Sequence, residues 1–114
     1  MIRKIVITAS LGLSLCSAAA DAAPNVYGLG NTSCGSYLSA RQLGPTSMRA
    51  QVYLTWLTGY LTALGQQLPE ADEKIARSDP DGWSEWLDNY CHQQPNDSFN
   101  EGAYALVKSL LAHE

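Results

Sequence analysis

The stretch from Ser47 to Leu68 is the feature that most constrains the fold of this 114-residue chain. Its large apolar side chains recur every three or four positions, which is the period of an amphipathic α-helix. They form two neighbouring rows, one of Val52, Trp56 and Tyr60 and one of Tyr53, Leu57, Leu61, Leu64 and Leu68. Polar side chains repeat at the same period, at Gln51, Thr55, Thr58, Thr62 and Gln66. The sequence therefore predicts a long central helix whose wide apolar face is covered by other helices.

Residues 1–22 have the pattern of a secretory signal peptide. Two basic residues precede an apolar run of about eleven residues, which is short of the roughly twenty that span a bilayer. Cleavage fits after Ala20 or after Ala22, and we expect it after Ala22. Acylation of Cys16 as a lipoprotein is disfavoured, because a bulky leucine precedes it where such signals have a small residue. We predict export and no membrane association once the signal is removed.

Export leaves a small acidic domain. Removing the first 22 of 114 residues leaves 92, enough for one domain. It also takes two basic and one acidic side chain from totals of seven and eleven, so the mature chain has a formal charge of −5. That charge disfavours binding to nucleic acid or to an anionic membrane. We expect a periplasmic or secreted protein.

Three further helices are predicted around the central one from local start and stop signals. A short first helix covers about residues 34–40, and a third covers residues 79–94, between Asp-Pro at its start and a proline at its end. The fourth begins at Ser98, whose spacing from Glu101 is that of a capping box, and it runs to the C-terminus. No segment has the sustained alternation of a strand. The fold class is therefore all-α, a compact bundle of about four helices.

The connections between these helices complete the predicted domain plan. Residues 23–32 are interpreted as a flexible lead-in, and residues 33–114 as a single helical domain. The charged stretch 70–78 is interpreted as a solvated connection with one loose helical turn at most. Gly59, inside the central helix, predicts a close helix crossing, because glycine otherwise costs about 1 kcal/mol there.

Cys34 and Cys91 are the cysteines that remain after cleavage, and an oxidising compartment favours their pairing. They lie 57 positions apart. Closing a loop of that length stabilises a fold by about 4 kcal/mol on the loop-entropy relation. We predict one disulfide, which joins the first helix to the third.

Catalytic and metal-binding interpretations are disfavoured. Cys91 and His92 are adjacent and would point about 100° apart on a helix, and a disulfide removes the nucleophile. The cysteines and histidines lack the paired spacing of a zinc site, and no haem-attachment motif is present. A small hydrolase using acidic side chains is a minor alternative, and a solvated acidic surface is the simpler interpretation of Glu70, Asp72, Glu73, Asp79, Asp81, Glu85 and Asp88. We expect a non-enzymatic protein with no metal and no cofactor.

Aromatic side chains are the best candidates for a partner-binding surface. A domain of this size cannot bury three tryptophans and several tyrosines completely, and exposed tryptophan and tyrosine are typical of recognition sites. The candidates are Trp56, Tyr60, Trp83, Trp86 and Tyr90. Most of this set is also suited to core packing.

Three short motifs resemble known exported proteins: Cys34-Gly-Ser-Tyr-Leu, the central Trp56-Leu-Thr-Gly-Tyr, and Trp86-Leu-x-x-Tyr-Cys followed by Pro95. With the final amphipathic helix, the arrangement resembles the small helical periplasmic proteins of the HdeA-like class. It is also similar to the Tai-like immunity proteins of type VI secretion, which are small, helical and disulfide-bonded. The chain departs from the first group in the central-helix motif and from the second in lacking further cysteines. Of the residues that have a role in these families, we transfer that role only to Cys34 and Cys91 of this chain.

The resemblance implies a protein that binds other proteins, and two roles stay open. One is an acid-stress chaperone that binds client proteins, and the other is an immunity protein that inhibits a secreted effector. A homodimer is possible in either case. For the chaperone role we expect acid to be the trigger, because helix-capping carboxylates such as Asp79 and Glu101 stabilise the fold only while they are charged.

Overall fold

The structure is a computed structural model that describes Gly12 and residues 26–113. The predicted signal peptide lies outside the described residues except for Gly12, so its cleavage stays a prediction. The 3-10 helix spans Gly28–Asn31, and the α-helices are α1 (Cys34–Gln42), α2 (Met48–Gln67), α3 (Pro69–Ala76), α4 (Pro80–Gln93) and α5 (Phe99–Ala112). Apart from one isolated bridge between Ser33 and Ser98, this part of the chain holds no strand. The all-α fold class is confirmed.

A side chain caps the first turn of each of four helices. Ser33, Ser47 and Asp79 each accept a hydrogen bond from a backbone N–H in the first turn of α1, α2 and α4. The Ser98 hydroxyl accepts from the Glu101 backbone N–H at 3.1 Å, and the Glu101 carboxylate accepts from the Ser98 N–H at 2.7 Å. This is the predicted capping box, and it satisfies two donors that an uncapped helix leaves unpaired.

The disulfide joins α1 to α4. Cys34 and Cys91 are bonded, their Cα atoms are 4.9 Å apart, and both residues are fully buried. The Cys34 backbone N–H also donates to the Asp97 carbonyl at 2.7 Å, so the start of α1 is held against the connection between α4 and α5. The predicted pairing is confirmed, and it lies inside the core.

An aromatic cluster forms the centre of the core. The Phe99 ring lies 4.8 Å from the Tyr37 ring and 5.0 Å from the Tyr53 ring, measured between centroids. The two phenols keep polar partners, because Tyr37 donates to the Ser84 carbonyl and Tyr53 shares a hydrogen bond with the Thr32 hydroxyl. Phe99, on α5, therefore packs against aromatic rings of both α1 and α2.

The α3 helix corrects the prediction of a solvated connection at residues 70–78. Pro69 stands in its first turn, where its missing N–H has no helical partner to lose, and acidic residues there interact favourably with the helix dipole. Ala71 is buried against the bundle. The apolar pattern was too weak to predict this helix, because Ala71 is small and Ile75 is its one large apolar residue.

The prediction that Gly59 marks a close helix crossing is wrong. A methyl group built at Gly59 meets no atom within 4 Å, so the residue faces open space. Gly65 has the predicted role instead, since a Cβ there would lie 2.8 Å from a carboxylate oxygen of Asp72 and 3.3 Å from its Cα. The absence of a side chain at Gly65 therefore allows α3 to pack closely against α2.

The described part of the predicted lead-in is packed on the domain. Residues 26–32, which we call the N-terminal strap, include the 3-10 helix and contact α2 and α5. The Thr32 carbonyl accepts from the Phe99 N–H at 2.8 Å, which fastens the end of the strap to the start of α5. The ordered domain therefore begins before residue 33.

Candidate functional site

The five candidate aromatic residues do not form one surface. Trp83 is only 8% exposed, and its indole N–H donates to the Ser78 hydroxyl at 2.6 Å. It belongs to the core, so its assignment to the partner-binding surface is corrected. The other four are half-buried and form two separate stacked pairs, Trp56 with Tyr60 on α2 and Trp86 with Tyr90 on α4.

The α2 pair stands one helical turn apart and is stacked face to face. The centroids of the Trp56 and Tyr60 rings are 5.2 Å apart, and the ring planes differ by 18°. Trp56 also approaches the core, since its ring centroid is 5.6 Å from that of Phe99. The pair is therefore a rigid extension of the aromatic core to the surface.

The N-terminal strap holds Trp56 in place. The Tyr27 carbonyl accepts from the Trp56 indole N–H at 3.0 Å, and the Asn31 amide donates to the Val26 carbonyl. Gly28 has φ of +73°, and a Cβ built at Gly30 would overlap the ring of Trp56. Both positions therefore require glycine, the first for its backbone and the second for the close approach to the indole.

An open groove of about 410 Å³ lies beside the Trp56–Tyr60 stack. We call it the aromatic groove, and it is lined by Val26, Tyr27, Thr55, Trp56, Gly59 and Tyr60. Its lining carries no charged side chain. Gly59 leaves the space over α2 open, and Tyr27 is 77% exposed at one end. The arrangement can accept an apolar side chain, with aromatic rings on its sides and no side chain of residues 26–113 within 4 Å of a Cβ built at Gly59.

Tyr104, on α5, is another exposed tyrosine, and it does not line this groove. Burial raises the pKa of Tyr60, and the nearby Tyr104 raises it further. Tyr104 is 55% exposed, and the Lys108 ammonium lies 5.7 Å from the centre of its ring. That distance is within the range of a cation–π contact. A positive charge therefore stands beside the Tyr104 ring.

The α4 pair has an acidic environment. The Trp86 and Tyr90 rings are stacked with centroids 5.5 Å apart, and the Tyr90 hydroxyl donates to the Asp97 carboxylate at 2.5 Å. Partial burial, then this hydrogen bond and the negative charges of Asp97 and Glu101, raise the pKa of Tyr90 to about 12. The hydroxyl group is thus committed to the fold rather than left for a ligand.

Raised tyrosine pKa values predict a loss of stability in alkali. The pKa of Tyr90 is about 12 in the folded chain, whereas an unfolded tyrosine has about 10. Folding favours the neutral phenol, so its contribution is complete below about pH 10 and is lost as the pH rises towards 12. We expect the urea midpoint to fall over that range and to fall less steeply in Tyr90→Phe. A Tyr90→Phe variant with an unchanged slope would contradict this assignment.

Catalytic alternatives find little support in the geometry. Cys91 is committed to the disulfide and fully buried, so it is not available as a nucleophile beside His92. Of the acidic residues from 70 to 88, Asp88 is paired with Arg41 at 3.0 Å and Asp79 caps α4. The enclosed cavity beside Tyr37 is about 20 Å³, which is room for about one water molecule.

Within residues 26–113, no group of three or more His, Cys, Asp or Glu side chains is placed to hold a metal ion. None of the helices in the described residues is long and apolar enough to span a bilayer.

The fold and this groove define a class: a disulfide-bonded all-α domain with an aromatic groove on its longest helix. No protein-family model, curated protein or solved structure matches this chain significantly. Sequence reasoning selected Trp56 and Tyr60 but missed Val26 and Tyr27. The glycines of the strap were the signal that could have indicated packing on a large ring.

Proposed function

We propose that this chain is a small exported protein that binds other proteins without catalysis, and that the aromatic groove is its binding site. The observation that carries the proposal is the unfilled space over Gly59 beside the Trp56–Tyr60 stack. Tryptophan and tyrosine contribute most to protein–protein binding when they line a pocket that excludes water. Here the rings are already oriented by the core and the strap, so binding would cost little ordering of side chains.

The role we propose first is that of an acid-stress chaperone of the HdeA-like type. Four carboxylates accept hydrogen bonds that join or begin helices: Asp79, Asp88, Asp97 and Glu101. The disulfide between α1 and α4 would keep the chain crosslinked in acid. Full protonation would also turn the mature charge from −5 to about +7, from five basic side chains and two histidines. The resulting repulsion would expose apolar surface to client proteins.

The second role is that of a Tai-like immunity protein that inhibits a secreted effector. The observation that favours it is the preorganisation of the groove by the strap, because a rigid site suits one dedicated partner. Such a protein would bind tightly at neutral pH and would be indifferent to mild acid. A homodimer of the idle protein is compatible with both roles.

Suppression of aggregation as a function of pH separates the two roles. We expect the protein to suppress aggregation of unrelated proteins only below about pH 4, where carboxylates become protonated. Light scattering, run in parallel from about pH 2 to pH 7, reports the mass of the protein itself. No suppression at any pH, together with an unchanged mass, would contradict the chaperone role and favour a dedicated partner.

Filling the groove tests the site itself. We expect Gly59→Leu to weaken binding to an array of short immobilised peptides at neutral pH at least about tenfold, which corresponds to about 1.4 kcal/mol. The leucine side chain would occupy the space that the partner needs, and no atom of another described residue lies within 4 Å of the Cβ position.

Two control variants make this test specific. Gly59→Ala should keep binding and raise stability by up to about 1 kcal/mol, because alanine favours the helix. Gly82→Leu places the same side chain on α4, at another helical glycine that faces open space, and should keep binding. Equal binding by Gly59→Leu and Gly82→Leu would show that the groove is not the site.

A further inference from the structure

The connection between α3 and α4 contains a peptide bond in which an aspartate, Asp79, precedes a proline, Pro80. Of the five prolines in the chain, the other four follow Ala23, Gly44, Leu68 and Gln94. An aspartic side chain can attack the carbonyl carbon of its own residue, because the two groups are held next to each other. Proline is a good leaving group in acid, since its nitrogen belongs to a tertiary amide and accepts a proton readily.

The surroundings of this bond leave it open to attack. Asp79 and Pro80 are both exposed, so water and protons reach them. The Asp79 carboxyl is held loosely, because its hydrogen bond from the Asp81 N–H is 3.4 Å long and neither ion pair within residues 26–113 includes it. The Asp79 carbonyl oxygen accepts from the Trp83 N–H at 3.0 Å. That donor would stabilise the negative charge that the oxygen gains during attack.

We infer that acid cleaves this chain between Asp79 and Pro80, and that the disulfide keeps the two pieces joined. A carboxyl oxygen of Asp79 bonds to the carbonyl carbon of the same residue, the bond from that carbon to the Pro80 nitrogen breaks, and the carboxyl proton passes to the nitrogen. Water then opens the cyclic anhydride that has formed. One water molecule is consumed, Asp79 gains a terminal carboxyl group, Pro80 gains a free amino group, and nothing is oxidised or reduced.

The position of the bond decides what the cut does to the molecule. Cys34 lies in the piece before it and Cys91 in the piece after it, so the disulfide bridges the cut. The pieces also share the core, because Phe99 of the second packs on the Tyr37 and Tyr53 rings of the first. The bundle would therefore stay one molecule, while α3 and α4 would no longer be connected by the chain. This inference does not depend on the proposed function, because it concerns a covalent change and needs no partner.

Measurement of the intact mass tests the reaction on the disulfide-bonded protein, incubated at about pH 2 and in parallel at about pH 7. In acid we expect the mass to rise by that of one water molecule. Reduction should then release two pieces, one ending at Asp79 and one beginning at Pro80, in at least about tenfold the amount of any other fragment. At neutral pH neither piece should form.

Three variants locate the reacting groups. Asp79→Ser removes the carboxyl but keeps a good helix cap, and it should lower the amount of the two pieces at least about tenfold. Pro80→Ala keeps the carboxyl and replaces the leaving group, and it should also lower that amount. Asp81→Ser is the matched control, because it removes an exposed carboxyl that does not precede a proline; it should leave the amount within about twofold of the unmodified protein. Circular dichroism at neutral pH should show the same helix content in all three variants.

Three results would overturn the inference. Absence of the two pieces after incubation of the unmodified protein in acid would exclude the reaction. Equal cleavage in Asp79→Ser and in the unmodified protein would mean that the side chain is not the nucleophile. Separation of the pieces without a reducing agent would contradict the role of the disulfide in joining them.

Discussion

Replacing both Cys34 and Cys91 by alanine is expected to lower the free energy of unfolding by about 4 kcal/mol. The two residues are 57 positions apart, and without the crosslink the unfolded chain regains the entropy of that loop. Small domains have about 5–15 kcal/mol of stability in total, so the change removes a large part of it. Urea unfolding of the oxidised protein and of the double variant measures the difference.

Chemical reduction of the unmodified protein serves as the control for packing changes. Both sulfur atoms are buried in the core, so the alanine variant also loses their contacts. Reduction should reproduce most of the loss without changing any side chain. A loss below about 1 kcal/mol on reduction would mean that the disulfide constrains the unfolded chain much less than its loop length implies.

Phe99→Ala is expected to cost about 3–5 kcal/mol, the range for truncating a buried aromatic ring. Phe99 is 1% exposed and contacts the rings of Tyr37, Tyr53 and Trp56. Its removal would leave a cavity where α1, α2 and α5 meet. Urea unfolding measures the loss of stability.

Phe99→Ala should also disturb the aromatic groove, because the Trp56 ring loses its contact with the Phe99 ring. With Trp83 and Trp86 replaced by phenylalanine, the emission of Trp56 should shift to longer wavelength in Phe99→Ala. Phe99→Leu is the matched control and should cost less than about 1.5 kcal/mol, since it keeps most of the apolar volume. Equal losses in the two variants would contradict this account, because the cost would then not follow the apolar volume that is removed.

The aromatic groove shows which features of this chain follow from residue spacing and which depend on tertiary contacts. The sequence predicted that Trp56 and Tyr60 share a face of the central helix, because a spacing of four positions places them one turn apart. It did not predict that Gly28 and Gly30 pack on the indole of Trp56. That contact joins residues 26 positions apart or more, and no periodic pattern in the strap indicates it.

Gly59 and Gly65 illustrate the same difference between residue spacing and tertiary contact within one helix. From the sequence, Gly59 and Gly65 are both glycines in the interior of α2, and either one could mark a close approach. Only the path of α3 decides between them, because its return along α2 brings Asp72 against Gly65 and leaves Gly59 open. The helix that makes this choice has a weak apolar pattern of its own, so its position depends on packing rather than on periodicity.

The sequence by itself determined two of the helix starts, because Asp79 and Ser98 act on backbone groups within three residues of themselves. It also determined the disulfide, since the predicted export left two cysteines to pair. Only the tertiary structure decided which aromatic residues reach the surface. Trp83 and Trp86 lie on the same helix three positions apart, yet one is buried and the other half-buried. Burial depends on which neighbouring helix covers each side of α4, and that is a property of the assembled bundle.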